Sequence, residues 1–204
     1  MSKYNNGPMI KLDSIPRNEI DKALDEFSEG SEGLRFCLSI MWSNGLKTAA
    51  CCSGHESSFQ EAYILMDDNV DIYSYLSDEL LTSDMVSISL NKDNNQAIHF
   101  VGTRKDKEHF FFTLAKDIAT GKKQNADLVR NKIGRPINQE WLVHGFVYSM
   151  LRDNLQKVGP IKRIKLATLC KQLNEGSMEQ QRRVIGDCYK ELALVQTESK
   201  GFWK

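Results

Sequence analysis

The spacing of apolar residues changes along this chain, and that change constrains the fold more than any other feature. Short apolar runs of strand length are concentrated between residues 46 and 101, at Leu46–Cys51, Ala62–Met66, Met85–Leu90 and Ala97–Val101. On either side, apolar residues recur every three to four positions, as they do on one face of a helix. The sequence therefore predicts an α+β fold in which a small sheet is accompanied by helices.

Glycines and capping residues indicate where the helices begin and end. Ser31 is a candidate N-cap, Asn44-Gly45 is a typical left-handed stop, and Gly121 ends a helix predicted from about residue 105. Ser177 with Gln180 forms a capping-box signature for the last helix. The predicted helices cover residues 16–29, 31–43, 70–81, 105–119, 139–156, 161–173 and 178–192.

The formal net charge of zero is the sum of two opposite halves. Residues 1–121 hold 11 Lys and Arg against 19 Asp and Glu, a balance of −8, whereas residues 122–204 hold 16 against 8, a balance of +8. We therefore place a domain boundary at Gly121, with an acidic mixed α/β domain over 1–121 and a basic helical domain over 122–204. The polar, basic stretch 122–135 is interpreted as an arm or linker. A basic half is the footprint expected where phosphates are neutralised, and an accident of composition is the alternative.

The order of elements in the basic domain has a known counterpart. Two helices joined by a Gly-containing turn, then a predicted strand at Leu194–Gln196 and a second at Phe202-Trp203, resemble the winged helix-turn-helix family over Arg163–Trp203. This resemblance implies that helix 178–192 reads base edges in the major groove while neighbouring cations contact phosphates. The side chains expected to contact DNA are Lys162, Arg163, Lys165, Gln180, Gln181, Arg182, Arg183 and Lys200. For any one of them, a solvated helix face is the alternative interpretation.

A second concentration of reactive residue types follows the first predicted strand. Cys52 is a candidate nucleophile, His55 a candidate base or ligand, and Gly54 would let backbone amides approach an anion closely. Successive residues of a strand face opposite sides, so Cys51 is predicted to face the core and Cys52 the site. The predicted ligand-binding loop consists of Thr48, Cys52, Ser53, Gly54 and His55.

The same loop is incomplete as a metal site on sequence grounds. Zinc takes four tetrahedral ligands, and only Cys52 and His55 are supplied locally, unless folding brings His99 or His109 near. As a catalytic site it would need an orienting carboxylate, for which Glu56 and Glu61 are candidates. We therefore expect no bound metal and no cofactor from the sequence.

The loop also carries a resemblance. Gly45-Leu46-Lys47-Thr48, Cys51-Cys52-Ser53-Gly54-His55 and Tyr63-Ile64 resemble a group of small bacterial and phage proteins with a G-[IL]-x-T-x-x-[SC]-C-x-G-H loop. The segment is more distantly similar to the Thr-x-x-Ser-Cys-Ser-Gly loop of the wybutosine-synthesis methyltransferases that act on tRNA, which have Arg where this chain has His55. These resemblances imply an α+β fold and a nucleotide- or phosphate-facing loop, and methyl transfer does not follow from them.

Three functions are compatible with these features. The leading hypothesis is a nucleic-acid-associated regulatory or inhibitory protein, encoded by a phage or mobile element and acting on a host nuclease or defence complex in the manner of anti-CRISPR proteins. Its expected partners are DNA and a host protein complex, and a homodimer is left open. The alternatives are an enzyme that uses Cys52 and His55 on a nucleotide or RNA, which we favour less, and an interaction module with a structural loop. The polar N-terminal segment and the lack of long apolar runs predict a cytoplasmic protein without a membrane span.

Overall fold

The computed structural model describes residues 15–55, 59–67, 69–135 and 138–201, and side chains as far as Val195. Within these ranges the chain forms two compact units, one of residues 15–55 and 60–135 and one of Phe59 and 138–201. Phe59 belongs with the second unit because its ring packs in tilted contacts against Trp141 and Tyr148. The α+β class is confirmed by eight helices and one antiparallel four-stranded sheet among the described residues.

The first unit holds all four strands and five of these helices. In chain order they are α1 (Ile20–Phe27), α2 (Glu32–Ser43), β1 (Thr48–Cys52), β2 (Ala62–Met66), α3 (Asp78–Thr82), β3 (Val86–Leu90), β4 (Gln96–Phe100), α4 (Arg104–Thr120) and α5 (Ala126–Lys132). Short 3-10 turns lie at Arg17–Glu19 and Tyr73–Tyr75.

Local capping explains why α2 and α4 begin where they do. The Ser31 hydroxyl accepts the Leu34 amide at 3.0 Å, as predicted, and Thr103 with Asp106 forms a reciprocal capping box at α4. The two helices then pack closely, because Gly33 has no side chain and its amide donates to the Glu108 carboxylate. This packing places the first turn of α4 beside the N-terminus of α2.

The sheet has the strand order β1-β2-β4-β3. Ile64, Ile98 and Ile88 lie opposite one another on these strands and are buried on the face that forms the core. Cys51 pairs with Ile64 and packs against that core, whereas Cys52 pairs with Tyr63 on the other face. The prediction that the two cysteines face opposite sides of the strand, with Cys51 toward the core, is therefore confirmed.

The helix predicted over 70–81 is wrong. A 3-10 turn and the short α3 occupy this segment, with extended backbone at Leu76 and Ser77 between them. Side chains from elsewhere replace the helical hydrogen bonds, since Gln96 Oε1 accepts the amides of Ile72 and Tyr73 at 2.8 and 3.0 Å. Tertiary contacts here outweigh helical periodicity.

The basic stretch 122–135 is not an arm or a linker. It contains α5, whose Leu128 and Val129 pack against the core of the first unit, and the buried Lys132 donates to the Ser83 carbonyl. The division between units therefore falls after this stretch and not at Gly121. As a result, residues 138–204 hold 11 Lys and Arg against 7 Asp and Glu, a balance of +4 in place of +8.

The second unit is a bundle of three helices, α6 (Gln139–Asn154), α7 (Pro160–Glu175) and α8 (Met178–Gly201). They bury Leu151, Leu166, Leu173 and Cys188 among other residues. The predicted capping box at the start of α8 is confirmed, because the Ser177 amide donates to Gln180 Oε1 and the Gln180 amide donates to Ser177 Oγ.

The strand predicted at Leu194–Gln196 is wrong, because α8 continues through it to Gly201. Leu192 and Val195 extend the buried stripe of Cys188 at helical spacing, so burial favours one long helix. No strand occurs in the part of 138–201 that the structure describes. The second predicted wing strand, Phe202-Trp203, lies outside the described residues.

Candidate functional site

The loop after β1 turns back on itself through two left-handed residues. Gly54 has φ +74° and His55 has φ +47°, a conformation that few residues other than glycine adopt. This turn brings His55 Nε2 to 3.7 Å from Cys52 Sγ. Two bonds hold it, from the Gly54 amide to Cys52 Sγ at 3.4 Å and from the His55 amide to Ser53 Oγ at 3.0 Å.

Glu29 completes the site from the segment that follows α1. Its carboxylate oxygen Oε2 accepts two hydrogen bonds from Ser53, from the amide at 2.8 Å and from the hydroxyl at 2.9 Å. The same oxygen lies 3.8 Å from His55 Nδ1. Glu29 itself has φ +52°, so a third residue of this site is held in a left-handed conformation.

These contacts gather three kinds of donor into one cluster. One ligand atom from each of Glu29, Cys52 and His55 lies within 4.8 Å of the other two. The carboxylate in this cluster is Glu29, whereas Glu56 and Glu61 are the candidates from the sequence. The Glu61 carboxylate lies 3.2 Å from His99 Nδ1, and Glu56 lies outside the described residues. His109 contacts Glu79 at 2.9 Å. Neither of the more distant histidines therefore supplies the site.

Lys107, like Glu29, is a site residue that is not among the candidates from the sequence. It lies in α4, is only 2% exposed, and donates from Nζ to the Gly54 carbonyl at 3.2 Å. Burial lowers the pKa of Lys107 to about 8. Burial also raises the pKa of Cys52, against the opposing effect of the bond from the Gly54 amide. The site therefore holds a thiol and a cation that are both partly removed from water.

A cavity of about 220 Å³ opens beside the cluster. Its lining includes Glu29, Ser53, His55, Arg104, Lys107 and Glu108. Both carboxylates are already engaged, Glu29 by Ser53 and Glu108 by the Gly33 amide. The two cations are engaged as well, since Arg104 donates to the Gly30 carbonyl and Lys107 to the Gly54 carbonyl. The lining therefore holds two carboxylates and two cations side by side.

Thr48 does not belong to this site. It is fully buried, and its hydroxyl accepts the indole N–H of Trp42 at 3.0 Å. The prediction that Thr48 contributes to a ligand-binding loop is wrong, because its side chain serves the packing of α2 against β1. Of the predicted loop residues, the structure brings Cys52, Ser53, Gly54 and His55 together.

Gln181 was predicted to read DNA bases, and that prediction is wrong. The side chain is fully buried, and Nε2 donates to the carbonyls of Leu173 and Gly176 at 2.8 and 3.0 Å. Its Oε1 lies 2.8 Å from His144 Nδ1. Gln181 therefore fixes the turn between α7 and α8 and does not face a groove.

The other predicted DNA contacts are largely engaged within the second unit. Arg182 makes two bonds of 2.7 Å to Glu140, Arg183 pairs with Glu179, and Lys165 lies 2.6 Å from Glu191. The guanidinium of Arg163 donates to the carbonyls of Leu155 and Val158, Lys162 is partly buried, and Gln180 caps α8. The side chain of Lys200 lies outside the described part of the chain. Exposed pairs of this kind are worth about 0–1 kcal/mol each.

Comparison with family models, curated proteins and solved structures gives no match for this chain. None of the described helices combines the length and the apolar character that crossing a membrane requires.

The cluster is capable of two kinds of chemistry. As a thiol relay, His55 Nε2 faces the Cys52 sulfur while Nδ1 faces the Glu29 carboxylate, which is the order of nucleophile, base and orienting group. As a donor set, the same thiol, imidazole and carboxylate are the ligand types that zinc prefers. Both chemistries need all three side chains.

We expect Gly54→Ala to cost far more stability than Gly45→Ala. Both glycines have positive φ, but a Cβ at Gly54 would lie 2.7 Å from the Gln60 carbonyl oxygen, whereas one at Gly45 meets nothing within 4 Å. Gly45→Ala should cost about 1 kcal/mol of unfolding free energy for backbone strain, and Gly54→Ala a further 1–3 kcal/mol for overlap. Urea unfolding followed by circular dichroism measures both, and equal losses would contradict the close approach.

Lys107→Met should remove a pH dependence of stability. The folded-state pKa of Lys107 is lowered to about 8 from 10.5, so between these values the unfolded chain binds more protons. Relative to a chain without this lysine, the free energy of unfolding of the wild type should therefore rise between pH 8 and 10.5 by on the order of 2 kcal/mol. In Lys107→Met that increment should be absent, and parallel pH profiles for the two proteins would contradict the burial of a lysine cation.

Proposed function

We propose that this protein is an enzyme that acts on a nucleotide or RNA, with Glu29, Cys52 and His55 as its reaction centre. The observation that carries the proposal is that these three side chains meet beside a cavity lined by Arg104 and Lys107. Of the functions considered from the sequence, the alternative of a Cys/His-dependent enzyme is the one that the geometry supports best.

Backbone strain supports a functional interpretation of this cluster. Glu29 and His55 hold left-handed conformations although neither is glycine, and each such residue costs on the order of 1 kcal/mol or more. A loop selected only for packing would place glycine or asparagine at these positions. The strain instead positions a carboxylate and an imidazole around one sulfur atom.

The charges beside the cluster indicate the substrate class. Arg104 and Lys107 lie three residues apart on the first turn of α4, and both line the cavity. Phosphate groups of a nucleotide or of RNA are the common biological anions that two such cations recognise. The helical unit has a surplus of four positive charges over residues 138–204 and would help to hold a longer RNA.

The test is turnover of a defined panel, consisting of the four ribonucleoside triphosphates, a short single-stranded RNA and transfer RNA, with products separated by chromatography. The wild-type chain should form product, and Cys52→Ala and His55→Ala should each slow the reaction by at least about 100-fold. Cys51→Ser is the matched control, because its hydroxyl can keep the bond that Cys51 makes to the Phe27 carbonyl. Absence of product from every member of the panel, or full activity in Cys52→Ala, would refute the proposal.

The charge division favours a second candidate function, a nucleic-acid-associated regulatory or inhibitory protein that acts on a host nuclease or defence complex. The helices α7 and α8, joined by a turn at Gly176, have the order of a helix-turn-helix, which in the winged helix-turn-helix family faces DNA. The ion pairs of Arg182 and Arg183 are exposed and weak, so phosphates could replace their carboxylate partners.

The second candidate predicts that the full chain binds a short DNA duplex with an affinity that falls steeply as salt increases. Arg182→Ala combined with Arg183→Ala should weaken binding more than Lys122→Ala combined with Lys123→Ala, because the first pair lies on the helix that would enter the groove. Fluorescence anisotropy of labelled duplex measures both variants. Equal losses would indicate nonspecific charge, and absence of binding at ~50 mM salt would exclude this function.

A further inference from the structure

We infer that Glu29, Cys52 and His55 are protein ligands of a zinc ion whose fourth coordination position faces the cavity. This inference rests on the proposed function, because it names the cofactor of the same reaction centre. The sequence supplies two donors in one loop, and folding adds the third from the end of α1. In this role Cys52 is a ligand and not the attacking nucleophile.

The loop from Cys52 to His55 has the form of a two-ligand turn. Its donors stand three residues apart, and the left-handed Gly54 between them directs its own amide to Cys52 Sγ at 3.4 Å. A backbone N–H bond of this kind stabilises negative charge on a sulfur ligand and fixes its direction. The His55 amide is held by Ser53 Oγ at 3.0 Å, so the imidazole is positioned from its own backbone.

Distances decide whether one ion fits between these donors. Zinc bonds of about 2.3 Å to sulfur and about 2.0–2.1 Å to nitrogen, at a tetrahedral angle, place the two ligand atoms about 3.6 Å apart. The Cys52 sulfur and His55 Nε2 are 3.7 Å apart. A ligand oxygen of Glu29 lies within 4.8 Å of the other two ligand atoms. Its 3.8 Å contact is to Nδ1, the other ring nitrogen, so the Glu29 side chain would have to move by about 1 Å toward Cys52 and Nε2 to join the coordination sphere.

The surroundings also suit a divalent cation. Ser53 donates two hydrogen bonds to the Glu29 carboxylate, which orients that ligand from a second layer. A thiolate and a carboxylate together neutralise the two charges of zinc, so the nearby Lys107 cation would not face a site of net positive charge. Burial of Lys107 against the Gly54 carbonyl is therefore compatible with metal binding.

The ligand count indicates a catalytic type of site. Structural zinc sites are closed by four protein ligands, whereas catalytic sites keep one position for water or substrate. In the described ranges, no fourth His, Cys, Asp or Glu joins the cluster. The open position would face the cavity that Arg104 and Lys107 line, where a substrate phosphate would sit.

The test uses the purified, tag-free full chain and cobalt(II) as the probe, because tetrahedral cobalt bound to a thiolate gives a charge-transfer absorption that zinc then removes. One equivalent should bind to the wild type. Cys52→Ser should lose the charge-transfer band, and His55→Ala and Glu29→Gln should weaken binding by at least roughly 10-fold. Cys51→Ser and His109→Ala are matched controls that should bind like the wild type, and circular dichroism checks the fold of each variant.

The outcomes separate the zinc site from the enzyme proposal. A folded wild-type chain that gives no charge-transfer band and binds no zinc overturns the zinc site, as does a band that Cys52→Ser retains. Turnover that depends on Cys52 in a metal-free chain would support the proposed enzyme and would overturn the zinc site. One equivalent of zinc lost on His55→Ala, without turnover of any panel substrate, would support the metal site and refute the proposed function.

Discussion

The candidate site depends on the two hydrogen bonds that Ser53 donates to the carboxylate of Glu29. They join the end of α1 to the loop after β1, and bonds to a charged acceptor contribute about 1.5–3 kcal/mol each. Ser53 is 7% exposed, so water competes little for its hydroxyl. The same hydroxyl accepts the His55 amide, so one side chain positions both the carboxylate and the imidazole.

A second constraint comes from the sheet and from α4. Strand alternation commits Cys51 to the core and leaves Cys52 on the other face, so a single thiol is available at the loop. Lys107 approaches the loop from α4 and binds the Gly54 carbonyl, at a position where a side chain on residue 54 would collide with the lysine. The loop is therefore held on one side by α1 and on the other by α4.

Features that depend on neighbouring residues could be predicted from the sequence, and features that depend on distant ones could not. The N-cap at Ser31, the left-handed stop at Asn44-Gly45 and the capping box at Ser177 follow from local patterns, and the structure confirms them. The prediction of a helix over 70–81 is wrong because Gln96, on β4, accepts hydrogen bonds from backbone amides of that segment. The prediction that Gln181 reads a DNA base is wrong because a side-chain amide that can bind adenine can also bind the backbone of a buried turn.

The same distinction explains why only two donors of this cluster could be found from the sequence. Cys52 and His55 share one motif, but Glu29 precedes Ser53 by 24 residues and Lys107 follows Gly54 by 53. No sequence pattern links these positions, since Glu29 resembles an ordinary helix-end acid and Lys107 an ordinary helix-surface cation. The number of donor side chains inside a motif is therefore the smallest number that the folded site can hold. Here the left-handed backbone at Glu29 and His55 brings both of these side chains to the sulfur of Cys52. What decides the chemistry is the set of side chains that the fold holds around Cys52, and that set contains an imidazole, a carboxylate and a buried lysine.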